Sequence, residues 1–119
     1  MPEVLSRTTF VFDHIAQQVP DIASAVDWYR RTIPDGRILY QDATWALFEA
    51  GGVKLAFVRQ SDHPAHIAWR VSAKDLERLA AEHGQTIRVH RDQTRSFYLE
   101  SPGGQSIEII AYPPTAMPT

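Results

Sequence analysis

Two hydrophobic periods alternate along this chain. Residues 9–19, TFVFDHIAQQV, open on β-branched and aromatic side chains, which favours a strand. Ile22, Val26, Tyr29 and Ile33 then recur at helical spacing, with Asp21 as N-cap after Pro20, and Pro34, Asp35 and Gly36 stop the helix. Short strands are expected at 37–41 (RILYQ), 44–50 (TWALFEA) and 53–59 (VKLAFVR), the last two joined through Gly51 and Gly52. The second half repeats the order. A strand at 65–71 (AHIAWRV) precedes a helix opened by the capping box Ser72/Asp75, with Leu76, Leu79 and Ala80 as its apolar stripe and Gly84 beyond its end. Strands are expected at 86–91, 95–101 and 105–112, with Pro102, Gly103 and Gly104 in the turn before the last.

The two halves share a register. HIAQQV begins at His14 and HIAWRV at His66, 52 positions later, and Gly51-Gly52 is separated from Gly103-Gly104 by the same offset. Two independent landmarks at one spacing indicate a duplicated β-α-β-β-β unit. The expected architecture is one α+β domain over residues 1–119, with repeat 1 at about 9–59, repeat 2 at about 65–112 and a loose tail at 113–119. Two βαβββ repeats pairing about a pseudo-twofold axis give a cupped, partly closed mixed sheet, helices outside and a cavity within.

Strand alternation selects the residues facing that cavity. With Ile15 and Val19 on the helix side, His14, Ala16 and Gln18 face inward; with Ile67, Trp69 and Val71 outward, His66, Ala68 and Arg70 do the same. In the last strand Ile107, Ile109 and Ala111 form the outer row, and Ser106, Glu108, Ile110 and Tyr112 the inner one. Glu108 stands in an apolar stretch, where a carboxylate is costly unless paired or bound to a cation. Its counterpart in repeat 1 is Ala56. Positions 14, 66, 56 and 108 therefore hold His, His, Ala and Glu. Two imidazoles and a carboxylate suit Fe(II), Mn(II), Zn(II), Ni(II) or Co(II), and the alanine leaves coordination sites open. His63, His83 and His90 read as loop or surface residues, with His63 the one rival to His66.

Composition narrows the function classes. Twelve basic and 14 acidic residues give a net charge of −2 with no basic run, which argues against nucleic acid or an anionic membrane as partner. No signal-peptide core or membrane-spanning stretch is present, so a cytoplasmic protein is expected. Without cysteine there is no disulfide, thiolate site or cysteine nucleophile. Neither a G-x-S-x-G elbow nor a phosphate-binding glycine loop occurs. Sheet edges left by two four-stranded units make a homodimer the expected assembly.

The segments DHIAQQVPDIASAVDWY and SPGGQSIEII resemble the vicinal oxygen chelate superfamily, which includes glyoxalase I, extradiol dioxygenases, fosfomycin-resistance proteins, methylmalonyl-CoA epimerase and metal-free bleomycin-resistance proteins. The resemblance covers roughly residues 9–112. It implies that His14, His66 and Glu108 are metal ligands and that Tyr98 matches a tyrosine that contacts substrate. Glyoxalase I and the epimerases usually carry Glu or Gln where Ala56 stands, so three-ligand members fit better. The DPxGN turn of the family is here SPGGQ. The implied activity is metal-dependent chelation of a small substrate through neighbouring oxygens, dioxygenase-like or lyase/isomerase-like. Within it, Tyr98 and Glu108 are the catalytic candidates, and Arg70, Gln18, Tyr112, Trp45 and Lys54 the substrate-binding ones, Arg70 for a carboxylate or phosphonate. The alternatives are a metal-free small-molecule binder of the bleomycin-resistance type and a structural or regulatory module. Pairing of the repeats within one chain or between two chains stays open at this point.

Overall fold

A computed structural model describes residues 8–59 and 64–114. Its elements follow the expected order: β1 (Val11–Val19), α1 (Ile22–Thr32), β2 (Arg37–Gln41), β3 (Trp45–Ala50), β4 (Val53–Arg59), β5 (His66–Arg70), α2 (Ala73–Glu82), β6 (Arg88–Val89), β7 (Arg95–Glu100) and β8 (Ser106–Ala111). The strands form one sheet in the order β2-β3-β4-β1-β5-β8-β7-β6. Each repeat contributes a contiguous half, and the halves meet where β1 runs antiparallel to β5 of the same chain. Inside each half the repeat strand lies parallel to the last one, Ala16 beside Ala56 and Ala68 beside Glu108. All four of these residues obey the offset of 52 read from the sequence. The sheet is thus mixed and pseudo-twofold symmetric, an α+β arrangement with both helices on one side.

Each helix seals its own core. Ile22 and Val26 of α1 pack with Val19, Ala46, Phe48 and Phe57, and Leu76, Leu79 and Ala80 of α2 pack with Val71, Phe97, Ile109 and Ala111. The caps are those the sequence announces: Ser24 N donates to Asp21 Oδ2 at 2.8 Å, and Asp75 N to Ser72 Oγ at 3.1 Å. Beyond α1, Gly36 lies so close to the buried Phe48 ring that a Cβ there would stand 2.1 Å from Cζ. With the outer faces consumed by two separate cores, the inner face is left free for a cavity.

Two departures from simple alternation matter. The register of β1 against β5 slips between Phe12 and His14, leaving Asp13 as a bulged residue. The bulge lets Asp13 and His14, adjacent in sequence, turn to the same side. The strand expected at 86–91 pairs only at Arg88–Val89. Its end is taken by a turn in which His90 N bonds to Thr94 O at 2.8 Å and Asp92 Oδ1 accepts from Thr94 N at 2.9 Å and Thr94 Oγ1 at 2.6 Å.

Candidate metal centre

The central strand pair and β8 bring His14, His66 and Glu108 together, with one ligand atom of each inside a 4.8 Å span. His14 Nε2 lies 3.2 Å from His66 Nε2 and 3.5 Å from Glu108 Oε1, and His66 Nε2 lies 3.1 Å from that same oxygen. His66 and Glu108 are buried, at 4% and 3% exposure, and His14 is half-buried.

The outward nitrogens define the inward ones. His66 Nδ1 is 3.1 Å from the carbonyl oxygen of Pro64, which can only accept, so Nδ1 carries a proton. His14 Nδ1 is 2.6 Å from Asp13 Oδ2 and donates in the same way. Imidazoles held like this, when neutral, present two unprotonated Nε2 atoms to one carboxylate oxygen. Three acceptors converging at these distances repel one another unless a cation, metal ion or proton, joins them. Carboxylate and carbonyl partners on the far ring nitrogens are also the usual supports of metal-binding histidines. The donor set therefore fits a divalent metal.

Asp13 is itself buried and held in place. Burial works to raise its carboxyl, but the hydrogen bond with His14 and then the Tyr112 hydroxyl keep it below the usual carboxylate range. Tyr112 donates to Asp13, its hydroxyl 3.0 Å from both oxygens, and burial followed by that carboxylate pushes the phenol up. Arg70 covers the Tyr112 ring, its guanidinium carbon 4.8 Å from the centroid.

Burial would raise Glu108 too. With a proton joining His66 Nε2 to Glu108 in place of a metal, the hydrogen bonds from His66 and then Ser96 overcome it and pull the carboxyl down to about 2. Tyr98 donates to Glu108 Oε2 at 3.2 Å; burial first and Glu108 second raise that phenol, so it stays protonated.

These residues floor a cavity of about 730 Å³. Of the residues picked out from the sequence, His14, His66, Glu108, Tyr98 and Trp45 line it. Arg70 and Tyr112 lie instead behind His14: Tyr112 bonds to Asp13, and the Arg70 guanidinium covers the Tyr112 ring. Lys54, opposite Glu49 in the β3–β4 ladder, lies near enough to Asp13 for its charge to help lower that carboxyl. Gln18 pairs in β1 beside Val58 and is not among the lining residues. His63 falls outside the described residues.

His90, expected as a loop or surface residue, does stand in the loop after β6, but it is turned into the cavity, with Nε2 2.7 Å from Ser96 Oγ and 3.6 Å from Glu108 Oε2. Repeat matching passed it over because its neighbourhood in repeat 1 holds no histidine. A signal was available in the D-x-T pair at 42–44 and 92–94. Asp42 Oδ1 accepts from Thr44 N at 2.7 Å and Thr44 Oγ1 at 2.8 Å, as Asp92 does from Thr94. Twin Asx turns thus build the cavity mouth from both repeats.

No family model matches the chain, and no curated protein does. Solved structures do. A hypothetical protein of Bacillus halodurans C-125 matches with a TM-score of 0.71 at 15% identity, over 91% of this chain and 98% of its own. Methylmalonyl-CoA epimerase of Mycobacterium tuberculosis gives 0.64 at 19%, over 87% and 89%. A glyoxalase/bleomycin resistance protein/dioxygenase superfamily member of Vibrio splendidus 12B01 gives 0.59 at 12%, over 88% and 98%. The chain has the fold of the vicinal oxygen chelate superfamily, as its motifs indicated.

Proposed function

We propose that this chain is a divalent-metal enzyme of the vicinal oxygen chelate type, dioxygenase-like or lyase/isomerase-like. His14, His66 and Glu108 would hold the ion, and a small substrate would bind through two neighbouring oxygens. The observation that carries this reading is the convergence of His14 Nε2, His66 Nε2 and Glu108 Oε1 within 3.5 Å of one another, with both Nδ1 atoms held by fixed acceptors behind them. A divalent ion there supplies Lewis-acid polarisation of the substrate oxygens or, as Fe(II), access to O₂.

The remaining groups prepare the pocket. Tyr98, kept protonated, donates to the outer oxygen of Glu108 and so holds the inner one toward the histidines. It also offers a proton donor in the wall of the cavity. His90, on the same wall, is positioned by Ser96 to exchange a hydrogen bond with bound substrate. Arg70 and Tyr112 act through Asp13 on His14.

No helix among the described residues is long and apolar enough to cross a membrane. A cytoplasmic homodimer belongs to this reading, with β2 and β6 as the open edges of the sheet.

Metal analysis of purified protein and calorimetric titration of the chelator-treated form with Zn(II), Mn(II), Co(II) and, without oxygen, Fe(II) test the proposal. One equivalent per chain and a higher melting temperature support it. No bound ion and unchanged melting overturn it in favour of a metal-free binder.

A further inference from the structure

The cavity is chemically one-sided. At the two repeat-related corners stand Glu108 and Ala56, and the walls extend the contrast. Repeat 2 contributes His90, Thr94 and Tyr98 beside the one apolar Ile110, whereas repeat 1 contributes Trp45, Val58 and the ring of Tyr40, its Thr44 hydroxyl being bonded to Asp42. Trp45 and Tyr40 stack with centroids 4.7 Å apart and planes 28° from parallel. This shelf is fixed from below, because Asp42 accepts from the Tyr40 hydroxyl and, at 3.0 Å, from Trp45 N.

The rim has an unequal charge pair. Asp42 is committed to Tyr40, Thr44 and Trp45, which holds its carboxyl far below the usual range. Its contact with Arg91 is long, 3.9 Å, and the Arg91 side chain is 81% exposed. Such a pair contributes little and leaves the guanidinium able to turn to a ligand. The volume, about 730 Å³, is that of a pocket for a ring-sized molecule, far more than a two- or three-carbon hydroxy acid occupies.

We infer that the substrate is a planar aromatic or conjugated molecule carrying two neighbouring oxygens and, at its far end, an anionic group. The oxygens meet the floor of His14, His66 and Glu108, the flat body lies on the Tyr40–Trp45 shelf, and Arg91 takes the anion at the mouth. The inference rests on the metal-chelating reading for the placement of the oxygens. The shelf itself does not: aromatic faces favour a flat partner through their quadrupoles, whereas a puckered aliphatic body gains only area.

The test uses protein loaded with Co(II) and kept free of oxygen, with 3,4-dihydroxybenzoate, catechol and lactate as ligands. Binding is followed by calorimetry and by the cobalt spectrum. The dihydroxybenzoate should bind most tightly. Trp45→Leu and Tyr40→Leu should each weaken it about three- to tenfold, with lactate and Co(II) affinities unchanged. Trp45→Phe should keep most of the affinity, which separates ring loss from a damaged strand. Arg91→Gln should weaken the dihydroxybenzoate and not catechol. Equal losses for lactate and the aromatic ligands, or no loss in either leucine variant, overturn the inference. A second arm uses chelator-treated protein and compares benzoate with cyclohexanecarboxylate by NMR shift perturbation. A preference for benzoate that disappears in Trp45→Leu supports the shelf even if metal titration fails. No preference overturns it even if metal binds.

Discussion

His66 Nε2 stands 3.2 Å from Nε2 of His14, while each ring anchors its other nitrogen to a fixed acceptor, the Pro64 carbonyl and the Asp13 carboxylate. Neither ring can relieve the contact by swapping tautomer without losing a buried hydrogen bond. A cation between them and Glu108 resolves it. Replacing His14, His66 or Glu108 by alanine should therefore lower metal affinity beyond the roughly 10–100-fold typical of outer-shell changes, with unaltered circular dichroism. Titration of Zn(II) or Co(II) into each variant measures this; retained affinity in Glu108→Ala rules out the ligand set.

Asp13 offers a subtler case. It stands outside the convergence of His14, His66 and Glu108, and its carboxylate orients His14 from behind with Tyr112 bracing it. Asp13→Ala should cost about 10–100-fold in metal affinity, and Tyr112→Phe should cost less because Asp13 keeps its bond to His14. The same titrations read both. Tyr112→Phe exceeding Asp13→Ala contradicts this chain of support.

Acid should weaken the metal-free fold through Glu108. Its carboxyl is held at about 2 in the folded protein, below the ordinary 4.5. A depressed carboxyl stabilises the fold above its unfolded value, and the stabilisation is lost as pH falls from about 4.5 toward 2. Its full size is on the order of 3 kcal/mol. Urea melts in chelator, from about pH 6 down to about pH 2, should show this decline. Glu108→Gln should flatten it, and an equal slope in that variant contradicts the assignment.

The duplicated landmarks made the sheet and the meeting of His14, His66 and Glu108 legible, because a pseudo-twofold fold writes its symmetry as one offset. What escaped is what breaks the symmetry. Strict alternation sends Asp13 outward, away from His14; only the bulge after Phe12 turns both inward. That bulge arises from pairing with β5, a long-range partner, and leaves no local signature. His90 escaped for a related reason. It ends a strand that an Asx turn cuts short, so neither strand parity nor the repeat offset locates it. Arg70 has the inward parity expected of it, yet the Tyr112 ring intercepts its guanidinium.

Away from the site, Gly36 should tolerate no side chain. A Cβ there meets the fully buried Phe48 ring, which has no room to retreat inside the α1 core. Gly36→Ala should destabilise the protein by about 1–3 kcal/mol through overpacking. Metal affinity, set on the opposite face of the sheet, should not change. Denaturant melts and a parallel metal titration separate the two effects, and a neutral melt shows that the ring can move.

Ala56 is the repeat partner of Glu108, and the offset of 52 that joins them also joins His14 to His66. Register supports the equivalence: Ala56 lies beside Ala16 as Glu108 lies beside Ala68, and both face the cavity. Ala56→Glu should thus place a second carboxylate at the fourth corner of the site. A fourth protein ligand closes the coordination shell, so metal should bind more tightly while a bidentate ligand binds less well. The new carboxylate also enters an apolar wall, so without metal it should destabilise the fold, and metal should rescue it. Co(II) titration, a catechol titration of the loaded variant and melting with and without Co(II) read these three effects. Tighter metal with weaker catechol is the expected pair. Unchanged catechol binding shows instead that the alanine corner is not where substrate enters.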